Sequence, residues 1–103
     1  MTTQTLREPT SAHMQKASQF LKLASDPTRL KILWALLHGE HSVNDLAEHV
    51  GARVPAVSQH LAKLRSAKLV SVIRDGNKLI YEMDNKYMRK TIEHALLFAS
   101  TEV

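Results

Sequence analysis

Residues 42–64 read SVNDLAEHVGARVPAVSQHLAKL, and the fold turns on how this stretch divides. Ser42 stands three residues before Asp45, the spacing at which a hydroxyl and an acid satisfy the first amides of a helix reciprocally. Val43, Leu46, Ala47 and Val50 then recur at helical spacing, and Gly51 supplies the stop. After four residues a second helix is predicted over roughly Pro55 to Ala67, with Val57, Leu61 and Leu64 as its inner face. Two short helices joined at Gly51 by a few residues are the pattern of a helix-turn-helix. The second helix is polar away from its apolar row. Arg53, Ser58, Gln59, His60 and Lys63 lie on it or just before it, with Pro55 and Ala56 at its start. Gln can bond adenine bidentately, Arg can bond guanine, and Ser can bond either, all through base edges in the major groove. The N-terminal half of such a helix is the part that enters the groove, and its first amides can hold a phosphate. These seven residues are therefore the candidate DNA-contacting set on the helix.

On the C-terminal side the period changes from helix to strand. Val70 to Arg74, the turn Asp75-Gly76-Asn77, and Lys78 to Met83 predict a hairpin, because an Asp-Gly pair tolerates the positive φ of a tight turn. Arg74, Asn77 and Lys78 at its tip suit the duplex backbone or minor groove, while Asp75 and Gly76 serve the turn. Asp84 is expected to cap a last helix running to about Ala99. On the N-terminal side, Met14, Ala17, Phe20, Leu21 and Ala24 place a helix over Ser11 to Ala24. Asp26 caps a following helix, Pro27 sits at its first position, Leu30, Ile32, Leu33, Leu36 and Leu37 face inward, and Gly39 closes it. Trp34 is expected in the core beneath the helix-turn-helix, or alternatively as one wall of a small-ligand pocket. The expected architecture is mainly α with a β-hairpin wing, in the order α-α-α-α-β-β-α. Residues 1–10 form a flexible tail and residues 11–103 one DNA-binding and dimerisation domain.

Composition is consistent with that plan. Hydrophobic residues make up 44% of the 103 positions and charged residues 23%, a globular mixture. The net charge of +4 is unevenly placed: residues 1–52 are balanced, five basic against five acidic. Residues 53–90 carry nine basic side chains against Asp75, Glu82 and Asp84. Positive charge confined to the segment of the second helix and wing suggests a polyanionic partner. There is no cysteine, hence no disulfide and no thiolate ligand. No apolar run reaches the length of a membrane span and no signal-like segment opens the chain, so the expected location is the cytoplasm.

The blocks Asp26-Pro27-Thr28-Arg29-Leu30-Lys31-Ile32-Leu33, Val43-Asn44-Asp45-Leu46-Ala47, Val57-Ser58-Gln59-His60-Leu61-Ala62-Lys63-Leu64 and Gly76 to Tyr81 closely resemble the ArsR/SmtB family of bacterial repressors. The resemblance covers roughly Lys16 to Ala99. It implies a dimeric winged helix whose first and last helices form the interface, and a protein that leaves its operator when an effector, often a metal ion, binds. The residues agree on the dimer. Tyr87, Met88, Ile92, Ala95, Leu96, Leu97, Phe98 and Ala99 exceed a single apolar stripe. The candidate interface is Met14, Ala17, Phe20, Leu21, Met88, Ile92, Ala95, Leu96 and Ala99, paired about a two-fold axis.

The resemblance does not carry a metal site across. One subgroup places ligands in a cysteine motif on the third helix, but Ser42 to Leu46 holds no cysteine. Another uses an Asp-x-His and a His-x-x-His or His-x-x-Glu pair on the last helix. Here Asp84 keeps one ligand, Lys86 stands for the first histidine, and Leu97 and Ser100 fall at the second pair. A histidine-rich tail used by other relatives is not expected beyond Val103. His38 with His41 offers two imidazoles, fewer than the three or four zinc wants. His13 and His94 could bridge the dimer with Asp84 or Glu93. No metal and no cofactor is expected. Of other classes, an enzyme would need a phosphate loop, a nucleophile elbow or a zinc motif, and none is present. A winged helix used for protein–protein interaction would not need the basic residues Arg53, Lys63, Arg74 and Lys78.

Overall fold

Asp26-Pro27 makes the first corner of the chain. Asp26 is extended and its carboxylate accepts the Arg29 amide at 2.9 Å, so the helix after it starts on a satisfied amide with proline in its first turn. The computed structural model describes residues 8–101. Of the expected N-terminal tail, residues 1–7 lie outside the described residues. Thr10 belongs to the first helix as its cap: its hydroxyl accepts the His13 amide and the His13 ring accepts the Thr10 amide. The elements are α1 (Ser11–Ala24), α2 (Pro27–Leu37), β1 (His41–Ser42), α3 (Val43–Val50), α4 (Val54–Ser66), β2 (Ser71–Asp75), β3 (Lys78–Glu82) and α5 (Lys86–Thr101).

The expected helices and hairpin are present. Strand β1 is an addition: two residues are too few to show an alternating pattern. It pairs antiparallel with β3, His41 opposite Tyr81 and Ser42 opposite Ile80, so β3 is the central strand of three. β2 and β3 pair from Ser71–Glu82 to Asp75–Lys78. Only Gly76 and Asn77 separate them, and only Gly76 has a positive φ, +66°. That is the pattern of a type II′ turn, with glycine at its first central position. Asp75 is thus both the last residue of β2, paired with Lys78, and the first residue of the turn.

The core is a single cluster. Ile32, Leu33 and Leu36 from α2, Leu46 from α3, Val57, Leu61 and Leu64 from α4, Met83 after β3 and Ile92 from α5 are all completely buried or nearly so. α5 is tied to this cluster by Arg89, whose guanidinium donates to the carbonyls of Leu36, Leu37 and Met83. The last carbonyls of α2, which have no partner within the helix, are satisfied in this way.

Five expectations need correction. Trp34 is not core: it is 48% exposed. Ile32, Leu33, Ala35 and Leu36 take the inward arc of α2, and at 100° per residue position 34 falls opposite its centre, on the outer face. There its ring meets His38 edge-on at 4.8 Å and helps line an open groove against α5. Asp84 does not cap the last helix. Asn85 does, accepting the amides of Tyr87 and Met88 at 2.9 and 3.0 Å, because the helix begins one residue later than its acid would need. At α3 only half of the reciprocal cap is made, Ser42 Oγ accepting the Asp45 amide. α2 ends on His38, with Gly39 one residue beyond at φ +144°. Finally, Met88 and Ile92 do not belong to an outer interface. They are 9% and 2% exposed and pack in the chain's own core, since i, i+4 spacing puts them on the one inward row of α5.

Candidate nucleic-acid interface

α3 ends because Gly51 turns left-handed at φ +69°, and the amides of Gly51 and Ala52 both reach the Ala47 carbonyl. Arg53 is extended and makes no side-chain cap bond, which leaves the start of α4 open. α4 then buries Val57, Leu61 and Leu64 completely. With 100° per residue, that row fixes where every other side chain points. Gln59 falls nearly opposite it, Ser58 and Lys63 lie on either shoulder, and His60 lies at its edge. Burial agrees: Arg53, Pro55, Ala56, Ser58, Gln59 and Lys63 are exposed and His60 is half-buried. The helix therefore presents one hydrophilic face, with the candidate residues on it or beside it.

The wing is a separate element. Arg74, Asn77 and Lys78 are exposed at its tip, Arg74 across from Leu79 and Lys78 across from Asp75. The fixed register places all three at the turn end of the hairpin.

One residue of the site escaped the sequence reading. Arg29 sits in the first turn of α2. Its Nε donates to the Leu23 carbonyl at 2.8 Å, and its Nη1 lies 3.1 Å from His60 Nδ1. Nothing local announces a partner thirty-one residues away. Beside this pair the Asp26 carboxyl is held below its ordinary value of 3.8. The hydrogen bond from the Arg29 amide is the largest cause, and the positive charge of Arg29 adds to it.

The donors of a metal site do not come together. Among the described residues no three His, Cys, Asp or Glu side chains gather. Asp84 is exposed, and the Lys86 ammonium lies 5.3 Å above the Tyr87 ring, a cation where a ligand would have to be. His41 and His49 stack edge-on at 5.1 Å without a third donor.

Residues 26–72 match the family described as bacterial regulatory protein, arsR family. The chain is 44% identical over 81 residues to the HTH-type transcriptional regulator KmtR of Mycobacterium tuberculosis. The match takes in 79% of this chain and 62% of that protein, so the chain spans less than two thirds of that relative. It is 36% identical over 77 residues to the transcriptional repressor SdpR of Bacillus subtilis, 75% of this chain and 86% of that one. Among solved structures, NolR from Sinorhizobium fredii superposes with a TM-score of 0.76 at 34% identity, over 86% of this chain and 93% of the other. The fold is a winged helix-turn-helix.

Proposed function

The chain belongs to the arsR family of bacterial regulatory proteins, and from that premise we propose that it is a DNA-binding transcriptional repressor acting as a homodimer on an inverted-repeat operator. The observation that carries this reading is the division of α4: Val57, Leu61 and Leu64 fully buried, Ser58, Gln59 and Lys63 exposed. A helix held so firmly by one row offers the other to a major groove. Gln59 and Ser58 read base edges, with Pro55 and Ala56 close to the bases at the helix start. Arg53, Lys63, Arg74 and Lys78 take the phosphates and Asn77 the sugar edge. Two relatives, named as a transcriptional regulator and a transcriptional repressor, support the regulator reading, while the residue roles rest on exposure and position alone.

The dimer reading rests on what a single chain leaves uncovered. α1 buries only Ala24, and α5 buries nothing past Ile92. Met14, Leu21, Leu97 and Phe98 are 61%, 57%, 55% and 68% exposed, which is more apolar surface than two helices leave in water. Pairing them about a two-fold axis, with Ala17, Phe20, Ala95, Leu96 and Ala99, places two α4 helices about 34 Å apart, one turn of the duplex. Among the described residues no helix is long and apolar enough to cross a membrane, and we place the protein with its DNA in the cytoplasm.

The test is selection of duplexes from a random-sequence pool by the purified chain. Enrichment of an inverted repeat with half-sites one turn apart is expected. A pool that emerges unenriched would overturn the reading.

A further inference from the structure

The contact between Arg29 and His60 determines which nitrogen of the imidazole carries its hydrogen. Every nitrogen of a guanidinium is a donor and none accepts. With Arg29 Nη1 3.1 Å from His60 Nδ1, the ring nitrogen must therefore be the acceptor. The single hydrogen of the neutral ring is then on Nε2. A histidine without such a partner exchanges between two tautomers, one of which presents a lone pair and the other an N–H. Arg29 is itself held: its Nε donates to the Leu23 carbonyl and its backbone amide to the Asp26 carboxylate. The end of α1, the start of α2 and the edge of α4 thus meet on one ring.

We propose that Arg29 is a positioning residue that locks His60 as an Nε2–H donor, and that this donor meets a phosphate oxygen at the edge of the groove. The proposal rests on the DNA-binding reading above. Its second half follows from place and chemistry. His60 lies on the rim of the outer face of α4, half-buried, while Gln59 holds the outermost position and Ser58 is exposed on the opposite shoulder. Rim positions of a helix in the major groove pass beside the backbone. Phosphate oxygens there accept and never donate, so a ring locked as a donor always matches. A base edge would ask for a donor or an acceptor according to sequence. Arg29 would act on DNA affinity without touching DNA.

Two measurements on the full chain test this. The first, made without DNA, is long-range proton–nitrogen NMR of the histidine rings. His60 should show an unprotonated Nδ1 and a protonated Nε2. Arg29→Met should return the ring to a tautomer mixture, and Arg29→Lys, which keeps a donor, should restore the lock in part. A protonated Nδ1 in the unsubstituted chain overturns the proposal, and this result stands whether or not Arg29→Met folds. The second is binding to the duplex the chain itself selects. Arg29→Met should weaken it about three- to fivefold, because only part of the freed ring's population keeps its hydrogen on Nε2 and faces the phosphate. In a His60→Gln background, whose amide nitrogen donates from the place of Nε2 without help, Arg29→Met should cost less than about twofold. His60→Ala should weaken all duplex sequences alike. Equal losses in both backgrounds would make Arg29 merely structural, and a changed sequence preference in His60→Ala would replace the phosphate with a base; either overturns the proposal. If the unsubstituted chain binds no duplex, the regulator reading fails and the phosphate contact with it, while the ring measurement judges the Arg29–His60 lock by itself.

Discussion

Single side chains divide the work of this surface between reading and holding. Gln59, opposite the buried row of α4, is the proposed reader: Gln59→Ala should flatten the preference for the selected operator over a scrambled duplex by about 1–3 kcal/mol, measured by competition. Lys78 at the wing tip is the proposed holder. Lys78→Ala should weaken every duplex alike and lower the slope of log K against log salt by about 1. If Gln59→Ala left the preference intact, the assignment of α4 to the groove would be wrong. Asp26 contributes in another way. Its folded-state pKa is depressed, chiefly by the Arg29 amide, so its charged form adds stability above the unfolded value. That contribution is lost as the pH falls below about 4 and through the folded value. Asp26→Asn keeps a capping oxygen and removes the charge. The unsubstituted chain should therefore be the more stable by urea midpoint at pH 7, and the gap should narrow steadily as the pH falls from about 4 through the folded value; a gap of constant size would contradict this. The exposure of these candidate residues was legible in the sequence, because each is a polar residue beside an apolar row or at a turn. Arg29 was not, because its partner is remote in the chain and an arginine in a first helical turn looks like any exposed cation.

Among the elements, termini carry more information than centres. α4 ends in a Schellman motif: Lys68 donates to the Arg65 carbonyl and Leu69 to the Leu64 carbonyl, both at 2.9 Å, while Leu64 and Leu69 bury their side chains. The left-handed position, φ +62°, is filled by lysine. A side chain with a Cβ pays conformational energy there that glycine does not. Lys68→Gly should raise the unfolding free energy by about 0.5 kcal/mol after glycine's larger unfolded-state entropy is counted, as chemical denaturation would show. A loss of stability would mean that the lysine side chain does more than occupy the turn. The sequence revealed α3 and α4 nearly to the residue, because their apolar spacing and the Gly51 stop agree. It misplaced the start of α5, because Asp84 and Asn85 are both good caps and only the position of Met88 in the core chooses between them. It also missed β1, and it put Trp34 inside because size alone suggested burial, whereas the arc of α2 left no inward slot for it.

The whole molecule is asymmetric in what it covers. Its wing side is closed by a three-stranded sheet and a filled core, while α1 and the far half of α5 are bare. Phe98 is the most exposed of the large apolar residues there. Phe98→Glu should convert the dimer to a monomer by light scattering and weaken the selected operator far more than a single half-site, because two-site binding is lost. A dimer that survived this change would place the interface elsewhere. The sheet also bears on how the protein accommodates a bent duplex. Ser42 is at once the last residue of β1, paired with Ile80, and the residue whose hydroxyl opens α3. The root of the hairpin is thereby fastened to the first helix of the reading unit. Sliding the hairpin by a single residue would unhook that helix from its start, so compliance is confined to the overhang around Gly76 and Asn77. On the proposed function, a curved operator would therefore have to come to this protein already bent, or be bent by it as a rigid template.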